Sequence, residues 1–244
     1  MNWQKQHVLV TGGTRGIGRA IVQSLILKGA RVTATGSTPS SIQQASAHMP
    51  SIQWVCCDLL QADSRGHLAK LIGESDINIV IHNAGVQQMR DYTQNAPTPI
   101  STAQELDINL LAPIELTRLT LPAMQHRAGA TLVFITSGLA LAPKQSSPVY
   151  CATKAGLRSY AKALRGQLRM KNWPVKVVEA LPPIVDTDMT RGRGSRKMHA
   201  DEAARQILVG IEKGKSEIYV GASKLLKIIL RISPSLGERI MLMR

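Results

Sequence analysis

The stretch Thr11-Gly12-Gly13-Thr14-Arg15-Gly16-Ile17-Gly18 joins a short apolar run, His7–Val10, to a segment with helical periodicity. Glycines at positions 12, 16 and 18 permit a tight turn, and they let backbone N–H groups and a helix N-terminus approach a pyrophosphate. The spacing is G-x-x-x-G-x-G rather than G-x-G-x-x-G. A purely structural strand-to-helix turn would also use glycines. The position between an apolar strand and an amphipathic helix favours a dinucleotide-binding turn.

The rest of the chain repeats this alternation of strand and helix patterns. Between the β-rich runs lie segments with a 3.6-residue apolar period, such as Ile17, Ala20, Ile21 and Leu25. Such alternation predicts right-handed crossovers and a parallel sheet covered on both faces. We therefore expect an α/β fold, a single-domain Rossmann-type doubly wound sheet of seven parallel strands with helices on both faces. The predicted strands are His7–Val10, Arg31–Thr35, Ile52–Cys57, Ile77–Ile81, Thr131–Thr136, Val175–Ala180 and Glu217–Val220.

Length and composition agree with one globular domain. The chain has 244 residues, of which 44% are hydrophobic, and no apolar run approaches the roughly 20 residues of a membrane span. Its N-terminus lacks the apolar core of a signal peptide. Three cysteines, Cys56, Cys57 and Cys151, are too few for a disulfide framework, and no Cys/His cluster has zinc spacing. We expect a soluble, cytoplasmic protein without a metal.

The basic residues are concentrated at the two ends of the chain. The formal net charge is +14, and residues 1–57 hold five Lys/Arg and no acidic residue, while residues 191–244 hold twelve bases and five acids. Nucleic-acid binding would be one interpretation of this charge. Aromatic residues make up only 3% and no binding motif is present, so we expect no nucleic acid as partner. A phosphate-rich ligand explains the N-terminal excess better.

The charges after the second predicted strand distinguish between two dinucleotides. An NAD site usually carries an acidic residue about 20 residues after the glycines, whereas the first acid of this chain is Asp58. Arg15 can reach toward a 2′-phosphate, and the hydroxyls of Ser37 and Thr38 can donate hydrogen bonds to it. We therefore predict NADP(H) over NAD(H). Arg15 as a merely solvated base on the turn is the alternative.

Tyr150 and Lys154 stand four residues apart at the start of a helical stretch, so they share one helix face. An ammonium beside a phenol favours the phenolate and lowers the tyrosine pKa, which makes the tyrosine a usable general acid/base. The pair alone is weak evidence. Ser137, at the end of an apolar strand, strengthens it because a hydroxyl there lies at the ligand-binding edge of the sheet.

Together, the glycine turn, Asn83-Ala84-Gly85, Asn109, Ser137 and Tyr150-x-x-x-Lys154 resemble the short-chain dehydrogenase/reductase family. The resemblance covers residues 6 to about 222, fits the single-domain branch of roughly 250 residues, and is greatest to DltE-type members. It divides the chain into a catalytic domain, residues 1–222, and a C-terminal basic amphipathic extension of it, residues 223–244.

The resemblance implies a role for each catalytic residue. Tyr150 would exchange a proton with the substrate oxygen, and Ser137 would hold that oxygen. Lys154 would bind the nicotinamide ribose and lower the tyrosine pKa. Asn109 would hold a water linked to Lys154, although it could equally buttress a helix.

The same resemblance implies a nicotinamide-dinucleotide site. Asp58, followed by Leu59, would bind the adenine, with a strand-end turn as the alternative for Asp58. Ile184 and Thr187 would contact the nicotinamide carboxamide. The cofactor residues are then Gly12, Thr14, Arg15, Gly16, Ile17, Gly18, Ser37, Asp58, Leu59, Asn83, Ala84, Gly85, Tyr150, Lys154, Pro182, Ile184 and Thr187.

Three positions depart from the family pattern. Ser37 stands where NADP-dependent relatives often carry a second base, so Arg15 would act alone and the selectivity would be modest. His82 replaces an asparagine, which we interpret as a difference in packing. Leu181-Pro182-Pro183-Ile184 has a second proline where the family commonly has glycine, and this stiffens the entry to the substrate lid, about residues 186–200. Bases in the lid, Arg191 and Arg193, fit an anionic substrate, the cofactor phosphates or a solvated loop.

The C-terminal segment, Lys224–Arg244, is basic and amphipathic, and Pro234 should divide it into two short helices. It could pack on its own domain or a partner subunit, or lie peripherally on an anionic membrane surface. The resemblance also implies a homodimer or homotetramer, formed through helices near 101–127 and 149–171.

These observations lead to one main hypothesis and two alternatives. The main one is an NADP(H)-dependent oxidoreductase that interconverts a carbonyl and a secondary alcohol of a small molecule. A catalytically silent nucleotide-binding regulatory or scaffold protein is the first alternative, although the intact Asn–Ser–Tyr–Lys set argues against it. An epimerase or dehydratase of the same fold is the second.

Overall fold

A computed structural model describes residues 1–94 and 96–243. Its centre is a parallel sheet of seven strands in the order β3-β2-β1-β4-β5-β6-β7, which confirms the predicted fold class. Each strand differs from its predicted run by no more than two residues at either end. The strands are β1 His7–Val10, β2 Arg31–Gly36, β3 Gln53–Cys56, β4 Ile79–His82, β5 Thr131–Ile135, β6 Lys176–Leu181 and β7 Glu217–Tyr219.

Nine α-helices lie among the described residues. They are α1 Gly16–Leu27, α2 Pro39–Ser46, α3 Ala62–Glu74, α4 Thr102–Leu106, α5 Ala112–Met124, α6 Pro148–Met170, α7 Ala200–Glu212, α8 Ser223–Ile232 and α9 Pro234–Leu242. A π-helical turn, Asp107–Leu111, joins α4 to α5. Proline begins α2, α6 and α9, where its fixed φ suits the first helical position and its missing N–H costs no bond.

Successive strand residues point to opposite faces of the sheet, and each face packs against its own helices. Val8 and Val10 belong to a core with α1 and α7, whereas Leu9 belongs to a core with α3, α5 and α6. The central strands β1, β4 and β5 are buried along their whole length. This explains why they are continuous apolar runs rather than alternating ones.

The strand order reverses between β1 and β4. The chain moves from β1 outward to β2 and β3, then returns to the other side of β1 and continues from β4 to β7. Loops leave the carboxyl ends of β1 and β4 in opposite directions, so a crevice opens between them. The glycine turn follows β1, Asn83 follows β4, and Ser137 comes shortly after β5.

The last two helices form a short pair. Ser233 separates α8 from α9, and its hydroxyl accepts a bond from the N–H of Leu236, so the predicted break at Pro234 is present. Lys227 lies over the Tyr219 ring, with Nζ 4.1 Å from the ring centroid, and attaches α8 to β7. No helix of the described residues is long and apolar enough to cross a membrane.

Candidate active site

A cavity of about 1160 Å³ occupies the crevice at the carboxyl ends of the strands. It extends from the glycine turn, past Ser137 and Tyr150, to the C-terminal helix pair. The residues predicted to bind cofactor line it, apart from Thr38, and so do the predicted catalytic residues except Asn109. Those residues are Gly12, Thr14, Arg15, Gly16, Ile17, Gly18, Ser37, Asp58, Leu59, Asn83, Ala84, Gly85, Ser137, Tyr150, Lys154, Pro182, Ile184 and Thr187.

The glycine turn is held by close backbone packing. Gly12 and Gly16 have φ of +66° and +55°, a region that glycine enters without strain. A Cβ on Gly18 would lie 2.1 Å from the Gly12 carbonyl oxygen and 2.4 Å from Nδ2 of Asn83. The turn therefore needs glycine for conformation at two positions and for space at the third.

Asn83 fastens the glycine turn to β4. Its Nδ2 donates to the carbonyl oxygens of Thr11 and Gly12, at 3.0 and 3.1 Å. The Thr11 hydroxyl in turn accepts from the backbone N–H groups of Asn83 and Ala84. Sequence reasoning missed Thr11, although a threonine opening the turn was the available signal.

The adenosine end of the cavity has basic and hydroxyl side chains at its rim. Arg15 and Ser37 are exposed and line the cavity. Thr38 does not line it, because its hydroxyl caps α2 by accepting from the N–H of Ser41 at 3.2 Å. The expected phosphate contact of Thr38 is therefore not supported. Asp58 lines the cavity and accepts a bond from the N–H of Leu60.

Ser137, Tyr150 and Lys154 form the polar floor beyond β5. Pro148 starts α6, so Tyr150 and Lys154 lie in its first two turns. Lys154 is only 3% exposed, and its Nζ donates to the Ile135 carbonyl oxygen at 3.0 Å while lying 5.7 Å from the Tyr150 ring centroid. Burial lowers the pKa of Lys154 to about 8.

Tyr150 is more difficult to ionise than the sequence predicted. Burial raises its pKa to about 12, while a hydrogen bond with the Ser137 side chain and the charge of Arg193 act in the lowering direction. The net shift is opposite in direction to the lowering that Lys154 was predicted to cause, because burial of the phenol is the largest contribution. The phenol is fully protonated at neutral pH.

Asn109 lies in the π-helical turn, behind the cavity wall. Its Oδ1 accepts from the N–H of Val86 and its Nδ2 donates to the Val86 carbonyl oxygen, both at 2.8 Å. Nδ2 is also 3.3 Å from the Thr153 hydroxyl. Asn109 thus attaches the loop after β4 to α6, which matches its buttressing alternative. Its water-holding role stays a prediction. π turns often occur at functional sites.

A buried ion pair that sequence reasoning missed holds the same loop. The Arg90 guanidinium donates to the Glu105 carboxylate, which is fully buried in α4, and to the Ile100 carbonyl oxygen. Glu105 also accepts from the N–H of Gln88. In the sequence both residues are ordinary surface charges, and nothing local indicates that they meet.

The lid and the C-terminal helices close the cavity on its apolar side. Val185 pairs with Met198 across the base of the lid, and Met189 and Arg193 line the cavity from the lid. Residues of the helix pair complete the wall, which the sequence did not predict: Leu225, Leu226, Ile229, Ile240 and Met241. This face packs on its own domain. Ile228 and Ile232 lie beside Leu225 on the apolar face of α8 and are exposed, and membrane contact through them stays a prediction.

His82 is a packing residue, as predicted. Its ring stacks on Phe134 with centroids 4.9 Å apart, and its Nε2 lies 3.3 Å from the Thr117 hydroxyl. Burial lowers its pKa to about 3. Among the described residues no group of three His, Cys, Asp or Glu is placed to hold a metal.

A family model described as short chain dehydrogenase matches residues 6–198. The chain belongs to the short-chain dehydrogenase/reductase family. The uncharacterized oxidoreductase DltE of Bacillus subtilis is 33% identical to it over 226 residues, which cover 89% of each chain. The 3-oxoacyl-[acyl-carrier-protein] reductase FabG of Escherichia coli is 28% identical over 202 residues and 78% of each.

Solved structures of other short-chain dehydrogenases share the fold. One from Burkholderia cenocepacia, in complex with NADP, has a TM-score of 0.88, 24% identity and coverage of 99% of both chains. Another, from Burkholderia phymatum in complex with NAD, has a TM-score of 0.85, 18% identity and coverage of 97% of this chain and 96% of that one. The fold therefore binds either nicotinamide dinucleotide, and the choice depends on side chains.

Proposed function

We propose that this protein is an NADP(H)-dependent oxidoreductase that interconverts a carbonyl and a secondary alcohol, with Tyr150 as the general acid/base. The observation that carries the proposal is that Ser137, Tyr150 and Lys154 line one cavity with the glycine turn. The glycine turn fits a pyrophosphate because α1 begins at Gly16, next to the cavity, and its first N–H groups are free of intrahelical bonds.

The charge at the adenosine end supports NADP(H). Arg15 and Ser37 lie at the cavity rim, and no carboxylate follows β2 before Asp58. Arg15 can bind a 2′-phosphate by a charge-assisted hydrogen bond, and nothing at the end of β2 repels it. The preference for NADPH over NADH in binding affinity depends on one arginine, so we expect it to be moderate.

The hydroxyl groups of Tyr150 and Ser137 support the reduction of a carbonyl. A bound NADPH supplies hydride to a carbonyl carbon. Tyr150 is protonated at neutral pH, as a phenol is at its ordinary pKa of about 10, so it can donate to a substrate oxygen that gains negative charge. Ser137 donates to the same oxygen as a preorganised partner. Lys154, whose Nζ donates to the Ile135 carbonyl oxygen, places a partly desolvated ammonium in the same cavity.

Fluorescence titration of NADPH and NADH against the wild type and Arg15→Ala tests the cofactor. We expect tighter binding of NADPH, and a loss of most of that margin in the variant, about 10-fold for a charged hydrogen bond. Arg19→Ala is the matched control, because Arg19 is in α1 but does not line the cavity. Equal binding of the two nucleotides by the wild type would refute the NADP(H) preference, and binding of neither would refute the oxidoreductase function.

We further propose that the chain forms a homodimer or homotetramer through the segment from α4 to α5 together with α6. Leu106, Leu111 and Leu119 of this segment are 39%, 41% and 40% exposed in the single chain, and a partner subunit would cover them. We also propose a cytoplasmic location, where the three unpaired cysteines would remain thiols.

A further inference from the structure

We propose that Arg193 binds a carboxylate of the substrate, and that the substrate is an apolar oxo acid whose hydrocarbon part lies against α8 and α9. This inference rests on the proposed function, because the carbonyl must reach Tyr150. It assigns a substrate class to a site whose fold alone assigns none.

Two lid cations line the cavity without a carboxylate partner among the described residues, the half-buried Arg193 and the exposed Arg196. The two carboxylates of the lid are occupied, since Asp188 pairs with Arg191 and Asp186 pairs with Lys197. Arg193 makes an ion pair with neither carboxylate. Within residues 1–94 and 96–243 its guanidinium donates only to the Met189 carbonyl oxygen. A guanidinium has five N–H donors, so most of its hydrogen-bonding capacity has no acceptor among the described residues.

The backbone of the lid presents Arg193 inward. Gly192 and Gly194 on either side have φ of +74° and +68°, conformations that turn the chain sharply and that other residues rarely adopt. Arg193 is half-buried and lines the cavity, whereas Arg191 is exposed and does not. The charge of Arg193 also acts on Tyr150, since it lowers the pKa of that phenol, so the two side chains are near each other.

Apolar side chains make up much of the wall near Arg193, although Lys144 and Arg196 also line the cavity. The apolar ones are Leu139, Ile184, Met189, Leu226, Ile229 and Met241. Two of the described carboxylates line the cavity. Asp58 lies at the adenosine end, and Asp188 forms an ion pair with Arg191. A ligand that satisfies all of these groups has an oxygen for Ser137 and Tyr150, an anion for Arg193 and a hydrocarbon part.

A carboxylate fits Arg193 better than a neutral polar group does. Its two oxygens accept two parallel N–H bonds from the planar guanidinium. Burial has already removed part of the hydration of the Arg193 guanidinium, which also lowers its pKa, so binding an anion costs less further desolvation. An amide would make one neutral bond and leave the charge uncompensated.

Isothermal titration of matched ligands into the NADP⁺-saturated protein tests this inference without turnover. The probes are 4-phenylbutanoate and 4-phenylbutanamide, which differ in charge and hardly in shape. We expect the wild type to bind the acid about 10- to 100-fold more tightly than the amide. Arg193→Gln should abolish that preference and Arg193→Lys should keep part of it. Arg191→Gln is the control and should keep the full preference.

Several results would overturn the inference. Equal binding of acid and amide by the wild type, no measurable binding of the acid, or the same change in both glutamine variants would each do so. A loss of NADPH and NADH affinity in Arg193→Gln, with the acid preference intact, would assign Arg193 to the cofactor phosphates instead. If the wild type binds NADPH but lacks the acid preference, this inference alone fails, whereas failure to bind either nucleotide removes the proposed function.

Discussion

At the scale of single residues, Tyr150 and Lys154 share a helix face but have different surroundings. Burial raises the pKa of the phenol to about 12 and lowers that of the ammonium to about 8. Desolvation disfavours the charged form of each group, so both shifts have one cause with opposite signs. The phenol therefore keeps its proton near neutral pH but is a weaker acid than free tyrosine.

Replacement of Tyr150 by phenylalanine separates chemistry from nucleotide binding. The variant keeps the ring but loses the proton, so we expect the kcat of NADPH-dependent carbonyl reduction to fall about 10²- to 10⁴-fold. NADPH should still bind, as measured by fluorescence titration. Wild-type protein that binds NADPH yet reduces no carbonyl, with Tyr150→Phe behaving identically, would favour the silent scaffold over the enzyme.

At the scale of elements, the glycine turn and α1 form one unit with the loop after β4. Gly18 packs so closely on Gly12 and Asn83 that a methyl group cannot fit without movement of backbone. The first N–H groups of α1 lie at this turn, next to the cavity. Any displacement of α1 therefore changes the nucleotide site as well as the packing.

Gly18→Ala should weaken NADPH binding at least 10-fold and lower the free energy of unfolding by about 1–3 kcal/mol, as overpacking does. Fluorescence titration and urea unfolding measure the two effects. Gly66→Ala in α3 is the matched control, because nothing lies within 4 Å of its Cβ position. The control should be stabilised by about 0.5–1 kcal/mol. An equal response of the two variants would contradict the tight packing at Gly18.

The elements also show which parts of the molecule a sequence can predict. The seven strands, the glycine turn and Ser137 follow from local patterns, because apolar periodicity and strand-end positions are read from neighbouring residues, whereas most other cofactor residues follow from the resemblance to the family. The Arg90–Glu105 pair, the bonds of Asn109 to Val86 and the tail lining the cavity each join residues distant in the chain. The rise in the Tyr150 pKa likewise depends on burial, which no local spacing reveals.

At the scale of the whole molecule, the exposed apolar surface is unevenly distributed. Leu106, Leu111 and Leu119 lie along one segment that crosses from α4 through the π-helical turn into α5. Single exposed leucines are ordinary, but several along one segment indicate a contact surface. Leu27, at the end of α1, is 88% exposed and lies outside this segment.

Leu119→Glu should therefore shift the protein to a smaller species in sedimentation velocity, because a carboxylate would have to be desolvated in the subunit interface. Leu27→Glu adds the same charge at a more exposed leucine and should leave the sedimentation coefficient unchanged. Both variants should remain folded, since neither leucine belongs to the core. A wild type that sediments as a monomer, or an equal change in the two variants, would show that subunits do not associate through this segment.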